Sequence, residues 1–197
     1  SNGGNIISNG SSTGTGNGGP ITLTAPGTNN IVVTTIQSNG GTTGGNGGNI
    51  TTNSSNLSVT GIGPGGSSIS ANGPAGNGGT VSITTTSTNP FVAGNPFPNG
   101  TASGISANGG NGNGGTVMIA SDGATVNPGV TVSANGSPGA GGVVTFDANN
   151  PANPNPVITI GGIVSATGGI PGTGVIGLGT GAGQNLIVNI PGAGALN

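Results

Sequence analysis

Asp122 and Asp147 carry the only ionisable side chains of the 197 residues, because the chain has no Lys, Arg, His, Glu, Cys or Tyr. A pair of carboxylates is the usual machinery of a polysaccharide hydrolase. Such enzymes also need cationic or metal-bound groups to stabilise the charge that develops in the transition state. Asp122 precedes Gly123 and is predicted to lie in a turn, and Asp147 to point outward after a strand. We therefore expect no catalytic site.

Other chemical functions are also disfavoured by composition. The phrase GNGG at 76–79 and 112–115 superficially suggests a phosphate-binding loop, but no Lys follows it, and its recurrence is typical of turns in a scaffold. Calcium-binding repeats need an Asp in every unit. A net charge of −2 disfavours nucleic acid, and no apolar run is long enough for a transmembrane helix. The sequence predicts no cofactor, metal, nucleic-acid partner or membrane insertion.

The sequence consists of internal repeats. Its 48 Gly and 14 Pro would indicate disorder in an aperiodic sequence, but GNGGTVSI at 76–83 returns as GNGGTVMI at 112–119. Each unit contains three short apolar stretches, rich in Ile and Val and separated by Gly and Asn. Alternating apolar residues in such stretches indicate strands with one buried face.

Equivalent positions of successive units are predicted to stack as columns. The first predicted core column is Ile21, Ile50, Val81, Val117, Val144 and Ile176. The second is Ile36, Ile69, Ile105, Val132 and Val164. An asparagine followed by Gly recurs about every 30 residues and predicts a structural ladder of Asn9, Asn39, Asn72, Asn108 and Asn135, with Thr167 in the sixth place. We expect its amides to bond along the axis and its corner to need positive φ.

These columns predict an all-β fold, a parallel β-helix of about six coils with roughly 30 residues and three short strands in each. Each coil would bury its inward residues against the next coil. Residues 1–197 are expected to form a single β-solenoid domain. The Pro-rich stretch 89–103, with Phe91 and Phe97, is predicted to be a loop insertion, and 191–197 an irregular tail.

The stretch 45–83, GNGGNITTNSSNLSVTGIGPGGSSISANGPAGNGGTVSI, resembles the repeats of large secreted exoproteins of the filamentous haemagglutinin type. Those repeats read NLxVxxxxxISA followed by GNGGxIxI, and the resemblance extends over most of the chain, to about Leu178. It implies a right-handed β-helix, exported to the cell exterior and used in adhesion or in building a matrix. This chain departs from the pattern in lacking charged residues on its outer face.

The expected function is that of a self-assembling extracellular or cell-surface fibre, sheath or matrix protein. An open solenoid ends in unpaired strand edges, so the expected partner is a second copy, added end to end by strand pairing. A cell-surface or matrix polysaccharide is a further candidate partner. One alternative is the shaft of a secreted adhesin. Another is ice binding by the outward column Thr22, Thr51, Ser82, Met118, Thr145 and Gly177, which Met118 and Gly177 interrupt. A disordered segment is opposed by the Ile and Val columns.

Overall fold

The computed structural model describes residues 4–61, 67–94, 104–150, 152–171, 173–190 and 194–197. These residues form short strands and turns with no helix, and the strands pair in parallel. Successive coils stack as a β-solenoid of about 6 turns, with equivalent residues about 31 apart. The predicted all-β parallel β-helix is therefore confirmed.

Each coil contributes one strand to each of three faces. The seven-strand face contains β1 (Asn5–Ile7), β4 (Thr35–Gln37), β7 (Ser67–Ser70), β10 (Gly104–Ser106), β13 (Thr131–Ser133), β16 (Ile163–Ser165) and β19 (Ala195–Leu196). The six-strand face contains β2 (Ile21–Thr24), β5 (Asn49–Ser54), β8 (Thr80–Thr85), β11 (Thr116–Ser121), β14 (Val143–Ala148) and β17 (Val175–Thr180). The third face contains β3 (Ile31–Val33), β6 (Leu57–Val59), β9 (Phe91–Ala93), β12 (Ala124–Val126), β15 (Val157–Ile160) and β18 (Ile187–Asn189).

The core is a set of columns that run along the axis, because strands in register place like residues above one another. On the six-strand face the pairing joins Ile21, Ile50, Val81, Val117, Val144 and Ile176. On the seven-strand face it joins Ile36, Ile69, Ile105, Val132 and Val164. All are buried except Ile176, which is partly buried in the last coil. A third column, two residues further along the six-strand face, contains Leu23, Thr52, Ile83, Ile119, Phe146 and Leu178.

The structure corrects the prediction for two segments. Phe91–Ala93, inside the predicted loop 89–103, form strand β9, because Phe91 pairs with Ala124 and turns its side chain into the core. Residues 95–103, with Phe97, lie outside the described part of the chain. In the predicted irregular tail 191–197, Ala195–Leu196 form β19, which places Leu196 beside Val164.

The third face is the only one of the three that is divided in the described residues. Strands β3 and β6 form one ladder, and β9, β12, β15 and β18 form another. No ladder joins β6 to β9 within the described ranges, whereas the other two faces run unbroken past the same coils. Between the second and third coils, strand ladders therefore connect the solenoid on only two of its three faces.

Candidate functional site

The predicted asparagine ladder runs along the corner that connects the seven-strand face to the six-strand face. In each step the side-chain Oδ1 of one coil accepts a hydrogen bond from the backbone N–H of the equivalent residue in the next coil. The bonded pairs are Asn9–Asn39, Asn39–Asn72, Asn72–Asn108, Asn108–Asn135 and Asn135–Thr167, all at 2.7–2.8 Å. The intervals are 30, 33, 36, 27 and 32 residues, so the ladder keeps its register although the coils differ in length.

Two amide nitrogens of this ladder donate hydrogen bonds to serines of the next coil. Asn39 Nδ2 donates to Ser70 Oγ at 3.0 Å, and Asn72 Nδ2 donates to Ser106 Oγ at 2.9 Å. Ser70 and Ser106 are buried, so each amide satisfies a hydroxyl that has little access to water. Thr167 donates to Asn135 through both its N–H and its Oγ1, which is why a threonine can end the ladder.

A second asparagine ladder, which the sequence analysis missed, runs beside the first. It is formed by the asparagine of each GNGG phrase, and the bonded pairs are Asn17–Asn46, Asn46–Asn77, Asn77–Asn113 and Asn113–Ala140, at 2.8–2.9 Å from Oδ1 to backbone N. The available signal was the constant Asn of that phrase, which had been assigned to turn geometry alone. Ala140 supplies only a backbone N–H, so the amide ladder ends there.

The two ladders are tied together within each coil by a backbone hydrogen bond. In the third coil Gly79 N donates to Ala71 O at 2.7 Å, and Gly115 N donates to Ala107 O at the same distance in the fourth. Adjacent coils also lie close together at this corner, because a Cβ on Gly78 of the third coil would clash with the carbonyl oxygen of Ala107 in the fourth. Glycine is required here by close approach of backbones.

The expectation of positive φ at this corner is wrong. Among the described residues, no residue other than glycine has positive φ, and the glycines that do are Gly27, Gly94, Gly123, Gly129 and Gly183. None of them follows a ladder asparagine. Asparagine recurs because its short side chain carries a carbonyl that reaches the backbone N–H of the next coil.

The two carboxylates occupy different surfaces. Asp147 lies on β14 opposite Ala120 of β11 and faces outward on the six-strand face, where it is half-buried. Asp122 lies at the corner just after β11 and is only 6% exposed. The described residues contain no group of three or more His, Cys, Asp or Glu that would form a metal cluster. The sequence has no basic residue to accompany either carboxylate.

The outward column on the six-strand face is in register but chemically mixed. Thr22, Thr51, Ser82, Met118, Thr145 and Gly177 lie side by side on six consecutive strands. Met118 is 48% exposed and interrupts the hydroxyls, and Gly177 ends them. No continuous threonine array therefore covers this face.

The part of the chain that the structure describes contains no helix that could span a membrane. Comparison with family models, with curated proteins and with solved structures gives no match for this chain.

Proposed function

We propose that this chain is a non-enzymatic, extracellular structural protein that assembles end to end by stacking further coils on its last one. The resemblance to secreted exoproteins of the filamentous haemagglutinin type supports an extracellular location. The observation that carries the proposal is the state of the core columns in the last coil, where each column continues to the edge of the solenoid without being covered.

Two inward positions at this end of the solenoid are exposed, although their partners one coil earlier are buried. Val188 is 42% exposed and pairs with Ile158, which is 0% exposed. Leu196 is 39% exposed and pairs with Val164, which is also 0% exposed. An added coil would bury these side chains and would pair the free backbone edges of β17, β18 and β19.

A second copy of the chain supplies a matching coil. Its β2 and β3 would present Ile21 and Ile31 at the positions that continue the columns of Ile176 and Val188. Cohesion along the axis would come from backbone hydrogen bonds and apolar contacts, which salt screens little. The lack of Lys and Arg also leaves no site for trypsin-like proteases, a useful property for a material outside the cell.

The strand count imposes a condition on this stacking. The seven-strand face has one strand more than each of the other two, since β1 and β19 both belong to it. If β2 of the next copy pairs with β17, its β1 arrives at the level that β19 already occupies. One of these two short strands must therefore detach from the sheet. Removal of residues 191–197, which include β19, is therefore expected to lower the protein concentration needed for assembly.

Light scattering and electron microscopy of the purified 197-residue chain test the proposal. We expect filaments with an axial repeat of about 29 Å, six strand spacings of about 4.8 Å, that form equally well from about 10 mM to 1 M salt. Val188→Asp should block assembly by placing a charge in the new interface. The matched control is Val157→Asp, because Val157 is 39% exposed on the side of the shaft.

A chain that stays monomeric at high concentration, with and without residues 191–197, would refute self-assembly. It would favour the second candidate, the shaft of an adhesin, in which further coils of a longer polypeptide cover the same exposed columns. Equal inhibition by Val188→Asp and Val157→Asp would show instead that the chains associate through their sides.

A further inference from the structure

Asn-Gly pairs are chemically labile, and they recur along both asparagine ladders. The backbone nitrogen of the glycine can attack the side-chain carbonyl carbon of the preceding asparagine, because glycine has no Cβ to obstruct the approach. The side-chain amide is then lost as ammonia, and asparagine ranks among the thermolabile residues. The sequence contains twelve such pairs, of which those at 2–3 and 99–100 lie outside the described residues.

Every asparagine of the two ladders has both reacting groups bonded to the next coil. In the third coil Asn72 Oδ1 accepts a hydrogen bond from Asn108 N at 2.8 Å, and Gly73 N donates to Asn108 O, also at 2.8 Å. The same two bonds, at 2.7–2.9 Å, hold each of the five Asn-Gly pairs in the first ladder. They also hold each of the four pairs in the second ladder, at 2.8–2.9 Å.

These two bonds oppose deamidation while the coils are stacked. For the succinimide ring to close, the glycine N–H must lose its acceptor, and the asparagine side chain must rotate away from the N–H that holds it. Both events require two coils to separate locally, and only a small fraction of a paired region is open at any time. The ladders therefore protect their nine Asn-Gly pairs chemically, in addition to joining the coils.

Asn111-Gly112 is the one described Asn-Gly pair that has neither bond. It lies in the fourth coil, in the short loop from Asn108 of the first ladder to Asn113 of the second. Asn111 is exposed, its side chain forms no hydrogen bond with any described residue, and Gly112 N donates none to that part of the chain. The coils on either side carry alanine and proline at the equivalent loop position, so Asn111 does not belong to a ladder.

We propose that Asn111 is a site of spontaneous deamidation in the folded protein. Gly112 N bonds to Asn111 Cγ and gives up its proton, the Cγ–Nδ2 bond breaks, and the side-chain nitrogen leaves with that proton as ammonia. Water then opens the succinimide ring at either of its carbonyls, which leaves aspartate or isoaspartate at position 111. The sequence of steps needs no reagent other than water.

The modification adds a carboxylate to a chain that has only two acidic side chains. Because Asn111 lies in a loop outside the strands, a change in its backbone leaves both ladders and the core columns paired. The loop is on the side of the shaft, away from the last coil, so modification and end-to-end assembly are independent. The folded chain should therefore become more acidic with age while its fold stays intact.

Prolonged incubation of the full chain at mildly alkaline pH, followed by peptic digestion in acid and fragment-ion mass spectrometry, tests the proposal. We expect deamidation at Asn111 to be at least about 100-fold faster than at Asn108 or Asn113, because these two react only from locally opened coils. In denaturant the three residues should react at similar rates. Equal rates in the folded chain would overturn the proposal, and so would a difference that persisted in denaturant.

A matched pair of variants provides a second readout, the charge of the intact chain on isoelectric focusing. Asn111→Ser and Asn53→Ser each remove one exposed asparagine, the second from the outward side of β5. Both are made in a chain that also carries Asn2→Ser and Asn99→Ser, so that the pairs outside the described residues do not contribute. We expect the first acidic species to disappear in Asn111→Ser and to form at an unchanged rate in Asn53→Ser. Equal rates of acidification in the two variants would refute the site.

Discussion

Thr52→Val should stabilise the protein. Thr52 occupies the third core column, between Leu23 and Ile83, and is 1% exposed. Its Oγ1 has no hydrogen-bond partner among the described residues. Valine has the same branched shape, so the substitution replaces a buried hydroxyl with a slightly larger methyl group in the same rotamer.

The size of the effect follows from two contributions of the same sign. Burial of a hydroxyl without a partner costs about 1–3 kcal/mol in proteins, and this cost disappears. The added methyl group contributes up to about 0.8 kcal/mol by leaving water. We expect a rise of about 1–2 kcal/mol in the free energy of unfolding, toward the lower end of this sum. For a chain of this length that corresponds to an increase in Tm of roughly 2–8 °C.

Chemical and thermal denaturation, followed by circular dichroism, measure this difference. Thr51→Val on the same strand is the control, because Thr51 is exposed and should change stability little. The converse pair Ile83→Val and Ile83→Thr differ only by a methyl and a hydroxyl group, so Ile83→Thr should be the less stable by a similar amount. If Thr52→Val were no more stable than the unmodified chain, Thr52 Oγ1 would have a hydrogen-bond partner such as a buried water molecule, and the reasoning would be refuted.

The remaining predictions concern the asparagine corner, measured by the same denaturation assay. Asn72→Ala should cost about 1–3 kcal/mol, because it leaves the N–H of half-buried Asn108 without its acceptor. Asn77→Ala should lower the free energy of unfolding by clearly less, since this second ladder is exposed and water replaces the lost oxygen. Equal losses of stability in the two variants would contradict this ranking. Gly78→Ala should destabilise strongly, because its Cβ meets a backbone carbonyl, whereas Gly177→Ala meets side-chain atoms at 3.4–3.5 Å and should be tolerated. Equal tolerance of both substitutions would refute the close approach.

The core columns could be predicted from sequence because two periods agree. Side chains of a strand alternate with a period of two, and like residues return after one coil, so Val81 and Val117 had to lie side by side once both rules were applied. The first asparagine ladder followed for the same reason. Variation in coil length did not disturb these predictions, because it is absorbed in the connections between strands.

Other features could not be predicted, because they depend on which backbone group of a neighbouring segment a residue contacts. Asn77 stands in a glycine-rich phrase that signals a turn, and nothing in the phrase reveals that its Oδ1 reaches the N–H of Asn113. The strand Ala195–Leu196 is too short to show alternation, so its pairing with β16 had no sequence signal. The role of Gly73, which follows Asn72, was misread for a related reason: close approach of backbones, here to the Asn77 carbonyl, and positive φ both select glycine.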